Sequence, residues 1–277
     1  MRYGAHLPLI DLDGRGWTAP GLASYARTAH RLGFDALAAN DHLTFRRPWL
    51  DGIVALSAVV EASGDLDLVT SVALPVVRGP VVLARAAAAL DALSGGRVVL
   101  GLGAGSSPAD YALVGADFDR RWTLFEDAVD EVRADLGDGP PVWIASWGSP
   151  AGLRRVARLG DGWIASAYNT TPPDVARGRE VLAERAGRPL DCAVATLWTW
   201  VTDDERQRRA WTARLAEVLG RTQDELAGRL LVGSPEECAD LLGAYLAAGV
   251  DLVLLWPVAD HEPQLDRVMA DVVPRVR

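Results

Sequence analysis

Asp41-His42 sets a carboxylate and an imidazole side by side. A histidine can pass or hold a proton near neutral pH. Gly103-Ala104-Gly105-Ser106 follows the apolar run Val98 to Leu102 and forms a turn that lets a backbone come close to a ligand. Ser146-Trp147-Gly148-Ser149-Pro150-Ala151-Gly152 leads a small-residue loop into a helix with proline in its first turn. Free N–H groups and the helix dipole suit such a place to an anion, a phosphate above all. Ser149 is the natural cap and can also bond a phosphate oxygen, and Arg154 and Arg155 follow in the next turn. A plain capped helix would look the same on this segment alone. His6, Trp147, Trp198 and Trp256 stand at expected strand ends, and Trp49 lies in the loop after the second strand. Together they predict an aromatic pocket for a flat ring, although each tryptophan taken singly reads equally well as core.

Other chemistries are excluded or disfavoured. All 28 basic side chains are arginine, so Schiff-base, pyridoxal-lysine and Walker-type phosphate chemistry lack their amine. The four histidines, His6, His30, His42 and His261, show no HxH or HExxH spacing, so no metal is expected. There is no G-x-S-x-G elbow for a serine hydrolase. Gly101-Leu102-Gly103-Ala104-Gly105-Ser106 falls short of a dinucleotide fingerprint, because residue 106 is serine and Ser107-Pro108-Ala109-Asp110 reads as a loop. A net charge of −9 argues against nucleic acid and anionic membranes as partners. Cys192 and Cys238 read as reduced thiols. No run is apolar enough to span a membrane, and Asp11 and Asp13 interrupt any leader-like run, so a cytoplasmic protein is expected.

The elements that must hold these groups alternate from end to end. Strands are predicted near 2–7, 34–40, 66–74, 97–102, 142–146, 162–166, 192–201 and 251–256. Helices are predicted near 19–32, 51–63, 80–93, 119–136, 150–159, 173–187, 203–219, 235–248 and 262–275, and 221–232 reads as a further short helix and turn. Eight mostly apolar strands, each followed by a helix and with no linker between them, predict one α/β domain over 1–277, a (β/α)8 TIM barrel. An open doubly wound sheet is the competing architecture. In the barrel, the candidate groups all lie at the carboxyl ends of strands, where barrel chemistry sits. Ser234-Pro235-Glu236-Glu237 reads as a helix start. Helix 80–93 carries charge only at Arg85 and Asp91, which predicts a homodimer packed through its outer face. An alanine-rich surface from a GC-rich genome is the alternative.

Segments 29–43, 70–105, 140–166 and 232–257, taken in order, resemble the luciferase-like flavin and deazaflavin oxidoreductases. The resemblance implies a barrel that binds a flavin or a 5-deazaflavin and moves a hydride. It makes His42 the active-site histidine, with Asp41 beside it at the cofactor. Ser71-Val72 falls where the family often keeps a non-prolyl cis peptide behind the ring. Gly103, Gly105 and Ser106 match the turn beside the ribityl chain, and Gly148, Ser149 and Ala151 match the phosphate loop. Three departures stand out. The insertion between strands 4 and 5 is short. The tryptophan expected four residues after the histidine is Arg46. Ser106 replaces the glutamate, and no lysine is present, of the sugar-phosphate dehydrogenase branch.

Coenzyme F420, with its phosphate and acidic glutamate tail, is favoured over FMN, since Arg46-Arg47, Arg120-Arg121 and Arg154-Arg155 offer a basic rim. The expected activity is hydride transfer to or from a small organic substrate. The alternatives are an FMN-dependent two-component monooxygenase fed by a flavin or F420 reductase, and a non-catalytic cofactor-binding barrel that has lost the family's chemistry. An unrelated phosphate-binding lyase or isomerase would need an acid and a base facing one pocket, and only Asp41 and His42 offer themselves.

Overall fold

The computed structural model describes residues 1–277 apart from Asp13, Arg15 and Arg46. The Arg46 half of the expected Arg46-Arg47 rim therefore lies outside the described residues. Among the described residues there are nine parallel strands: β1 Arg2–His6, β2 Ala36–Ala39, β3 Asp67–Thr70, β4 Val98–Leu102, β5 Val142–Ala145, β6 Gly162–Ser166, β7 Asp191–Val201, β8 Leu231–Gly233 and β9 Leu252–Pro257. They run in the order β6-β5-β4-β3-β2-β1-β9-β7-β8, and β6 also pairs with β7, which closes the barrel and rules out an open sheet.

The ninth strand was not expected, because Leu231–Gly233 is too short to show a period. It exists because of an irregularity in β7. The β7–β9 register shifts between Val194 and Leu197, and Thr196 there has φ 58°. Below this bulge, Asp191 to Ala195 pair with β6. Above it, Thr199 to Val201 turn to β8 instead. A bulge re-aims a strand in this way. The upper part of β7, which carries Trp198 and Trp200, thus keeps β9 as one neighbour and exchanges β6 for β8 as the other.

Two layers of core follow from the strand alternation. Ala36, Ala38, Val69, Trp143, Ile164 and Leu254 fill the barrel interior. The opposite faces pack under the helices, where Leu37, Leu68, Leu100, Val194 and Leu255 belong to one continuous core. A separate cluster above the barrel joins Trp198, Trp200 and Trp256 to Leu215 and Leu226, so the segment between β7 and β9 roofs that side of the mouth.

The helices match their expected ranges closely, with instructive exceptions. Ser234 caps helix Pro235–Ala247 in a full capping box with Glu237. The expected helix 51–63 ends at Ala58. The last expected helix, 262–275, breaks into His261–Arg267, a π turn over Val268–Val272 and a 3-10 turn over Val273–Arg275. Residues 107–110, expected as a loop, open the helix Pro108–Leu113, capped by Ser107. That helix and the 3-10 turn Phe118–Arg120 precede the barrel helix Arg121–Leu136 and pack Tyr111 and Phe118 against Leu74 and Val77. No described helix is long and apolar enough to cross a membrane.

Candidate active site at the carboxyl end of the barrel

The end of β2 sends its two neighbouring polar residues to different partners. His42 Nδ1 lies 3.5 Å from Asp110 Oδ2, and neither atom has a hydrogen bond. Asp110 is buried at the start of helix Pro108–Leu113, and its other oxygen accepts from the Thr44 amide (2.7 Å) and hydroxyl (2.5 Å). Burial works to raise the Asp110 carboxyl, but the imidazole and the Thr44 donors hold it below the ordinary range. The His42 ring is boxed by Phe45 (centroids 5.3 Å apart) and Trp49 (4.6 Å). With Nδ1 turned to Asp110, Nε2 is the nitrogen left for a ligand.

Asp41, expected at the cofactor, is ion-paired to Arg78. The Arg78 guanidinium donates to both Asp41 oxygens and also to Asp51. The Leu74 amide adds a longer bond to Asp41 (3.3 Å). The two carboxylates raise the Arg78 guanidinium above its ordinary range. Asp51 in turn caps helix Gly52–Ala58. Arg78 therefore pins together the ends of β2 and β3 and the start of the next helix.

The β3 and β4 ends meet tightly. The Ser71–Val72 peptide bond is cis. The Gly103 amide donates to Ala73 (3.0 Å), and a Cβ on Gly103 would sit 2.5 Å from Val72 Cγ2. Only glycine fits there without displacing Val72. Ser71 is buried with its hydroxyl unpartnered, whereas Ser106 at the end of the turn is exposed.

At the β5 end, Gly148 has φ 79°, a conformation that favours glycine. Its amide bonds Ser146 Oγ, and Ser149 Oγ accepts from Gly152 N (3.1 Å) as the cap of helix Pro150–Leu159. Ser149 is exposed, and its amide and that of Ala151 stand at the positive end of this helix. Arg155 is tied to Glu126 (2.6 Å) and stacks over Trp122, so it does not serve the loop, while Arg154 is exposed. Arg121 lies over Phe118.

On the opposite side, His6, Trp256 and Trp198 form a continuous stack, with centroids 3.6 and 4.1 Å apart. Trp49 meets Trp256 edge-on and links the stack to His42. His6 Nδ1 lies 2.7 Å from the Leu7 carbonyl, which can only accept, so Nδ1 carries the proton and Nε2 is a bare acceptor. Burial pushes the His6 pKa down to about 3, so the ring is neutral. Trp147 stands apart from this group: it is 56% exposed, beside the phosphate loop. Among the described residues no cluster of His, Cys, Asp and Glu is placed to hold a metal.

The sequence profile of the luciferase-like monooxygenases matches residues 13–222. The chain belongs to the luciferase-like monooxygenase family. It is 28% identical to an F420-dependent glucose-6-phosphate dehydrogenase from Amycolatopsis mediterranei, over 92% of this chain and 94% of the relative. That alignment runs over 317 residues, more than the 277 of this chain, so the relative carries insertions this chain lacks. Two solved structures share the fold at TM-score 0.85 and 18% identity: a monooxygenase from Streptomyces bottropensis, covered completely on both sides, and an F420-dependent secondary alcohol dehydrogenase, covering 100% of this chain and 99% of that one.

The luciferase-like cofactor fits the residues present. A cradle that a Cβ would fill lies at Gly103. Buried polar atoms without partners gather at the same mouth: His6 Nε2, Asn40 Oδ1, Ser71 Oγ, Trp49 Nε1 and Trp198 Nε1. Asp110 and Arg78 are site residues that the sequence patterns did not single out. For Asp110 a signal existed, since Ser107-Pro108-Ala109-Asp110 has the same cap, proline and acid order as the helix start at Ser234.

Proposed function

We propose that this chain is an F420-dependent oxidoreductase that transfers a hydride to or from a small neutral organic substrate, an alcohol or its carbonyl partner. The observation that carries the reading is the His42–Asp110 pair, placed in a mouth whose buried polar atoms lack partners. The relatives that match over nine-tenths of this chain are named for F420 dependence, which supports the deazaflavin over FMN. Retention of a histidine backed by a buried carboxylate speaks against a barrel that has lost its chemistry.

When bound, the deazaflavin supplies the hydride acceptor or donor. Gly103, Gly105 and Ser106 would line its chain, and the Ser149 and Ala151 amides and the Ser149 hydroxyl would receive the phosphate in the loop that Gly148 shapes. Ser71 and Val72 would back the ring, and Asp41, through Arg78 and the Leu74 amide, holds the β3 end that presents them. His42 holds or passes the substrate's proton at Nε2, and Asp110 fixes the ring's orientation and faces the charge it gains. His6 Nε2 accepts from a substrate hydroxyl, while Trp49, Trp198 and Trp256 exclude water. A neutral His6 and an aromatic wall favour an uncharged substrate. The chain has no lysine, so it lacks the amine of the sugar-phosphate branch.

The test is anaerobic mixing with oxidised deazaflavin and a panel of neutral alcohols, with glucose 6-phosphate as comparison, following loss of the cofactor's absorbance. Reduction by neutral alcohols is expected, and reduction by the sugar phosphate alone would overturn the substrate assignment.

The chain is further proposed to be a cytoplasmic homodimer. Cys192 and Cys238 are buried free thiols, each pushed up to about 12 by burial. Val81, Val82 and Leu93 are exposed on helix Pro80–Ser94, and Val54 is exposed on the neighbouring helix Gly52–Ala58. Light scattering of wild type and Val82→Asp decides this: a dimer that the charge disrupts is expected, and a wild-type monomer rejects it.

A further inference from the structure

A groove runs beside the phosphate loop, between helix Pro150–Leu159 and helix Pro172–Ala186. Its volume is about 430 Å³, and Gly148 and Pro150 of the loop are part of its lining. Its remaining walls bring together Trp147, Arg177 and Arg185. Trp147 presents an indole that is 56% exposed, although this residue type is normally well buried. Arg177 is exposed and engages Asp174. Arg185 is exposed and, among the described residues, has no carboxylate within ion-pair distance. Nothing in the proton and hydride chemistry uses these side chains.

We propose that this groove is a subsite for the anionic tail of the deazaflavin, the acidic chain that continues beyond the phosphate. The inference rests on the F420 reading above and adds to it a binding surface made of this chain's own residues. A phosphate held at Ser149 and Ala151 would lie next in sequence to Gly148 and Pro150, which line the groove. A carboxylate chain leaving that point meets Arg185 with its charge uncompensated and Arg177 with donors beyond those given to Asp174. The planar guanidinium fork suits carboxylates. The indole supplies a wall for the tail's methylene groups.

Of the arginine pairs in the sequence, two members are committed elsewhere. Arg155 is spent on Glu126, and Arg121 lies over Phe118. Asp174 limits the contribution of Arg177, so Arg185 carries most of the attraction. FMN ends at its phosphate and would leave the groove unused, so the subsite also distinguishes the two cofactors.

The test uses the full chain and fluorescence titration, with no turnover required. Two probes share the ring and phosphate: deazaflavin coenzyme with several glutamates, and the form that carries none. The tailed form is expected to bind about tenfold tighter at low salt, with the gap closing as salt rises. In Arg185→Glu the gap should shrink to about twofold or less while affinity for the tail-less form stays unchanged. Trp147→Ala should narrow it by a smaller factor. Equal affinities of the two forms for wild type, or an undiminished gap in Arg185→Glu, would overturn the groove and leave the F420 reading standing. Binding of neither form would remove both.

Discussion

The two sides of the barrel mouth are built in different ways. On the β4–β5 side the functional groups are backbone: the Gly103 turn against Val72, and the Gly148–Ser149 loop at a helix start. Each is formed by a few consecutive residues. On the β1–β2–β9 side the groups are side chains paired across long stretches of sequence. His42 meets Asp110, Asp41 meets Arg78, and His6 stacks on Trp256. In the proposed function the first side holds the cofactor and the second acts on the substrate, and the second depends on segments far apart in sequence coming together.

That contrast can be broken residue by residue. The largest effect is expected for His42→Ala, which should lower kcat by about 10²- to 10⁴-fold with cofactor Kd nearly unchanged. A change in Kd with intact kcat would move His42 to the binding side. Asp110→Asn keeps the shape and removes the charge, so a kcat loss of about 10- to 100-fold is expected. Cofactor titration should again show little change. Gly103→Ala should do the reverse. The added carbon collides with Val72, so stability falls by about 1–3 kcal/mol and cofactor affinity with it. Thermal melts with and without cofactor separate the two losses.

A smaller effect concerns pH. His6 is neutral in the fold with its pKa lowered from 6.5 to about 3. The unfolded chain therefore binds more protons between those values. Stability should be complete above pH 6.5 and fall as pH drops toward 3, by at most about 1.4 kcal/mol per pH unit. The buried Asp110 carboxyl, held below its ordinary range, adds a loss in the same direction at the acid end of that window. His6→Phe keeps a ring against Trp256 and should flatten the melting temperature across this range. An unchanged pH dependence would show that the buried ring does not govern it.

The same contrast explains what was legible in the sequence. The barrel, its parallel order and the backbone half of the mouth follow from local patterns: apolar strands, capped helices and glycines that leave room. Leu231–Gly233 escaped because a three-residue strand has no period and owes its place to the bulge at Thr196. Asp110 escaped because its role depends on a residue 68 positions away, which comes within 3.5 Å only once the chain is folded. Asp41 was visible beside His42, but its commitment to Arg78 was not, since adjacency in sequence says nothing about which way each side chain leaves the strand end. The roof over the stacked tryptophans comes from the segment after β7 and not from the short β4–β5 insertion, another long-range outcome.

The central claim is that this mouth is a deazaflavin site. Its most direct test is side-by-side fluorescence titration of the wild-type chain with oxidised coenzyme F420 and with FMN under one buffer condition. The account predicts that the deazaflavin binds at least about tenfold tighter, a difference of ~1.4 kcal/mol. FMN binding as tightly or more tightly, or no binding of either, would contradict it.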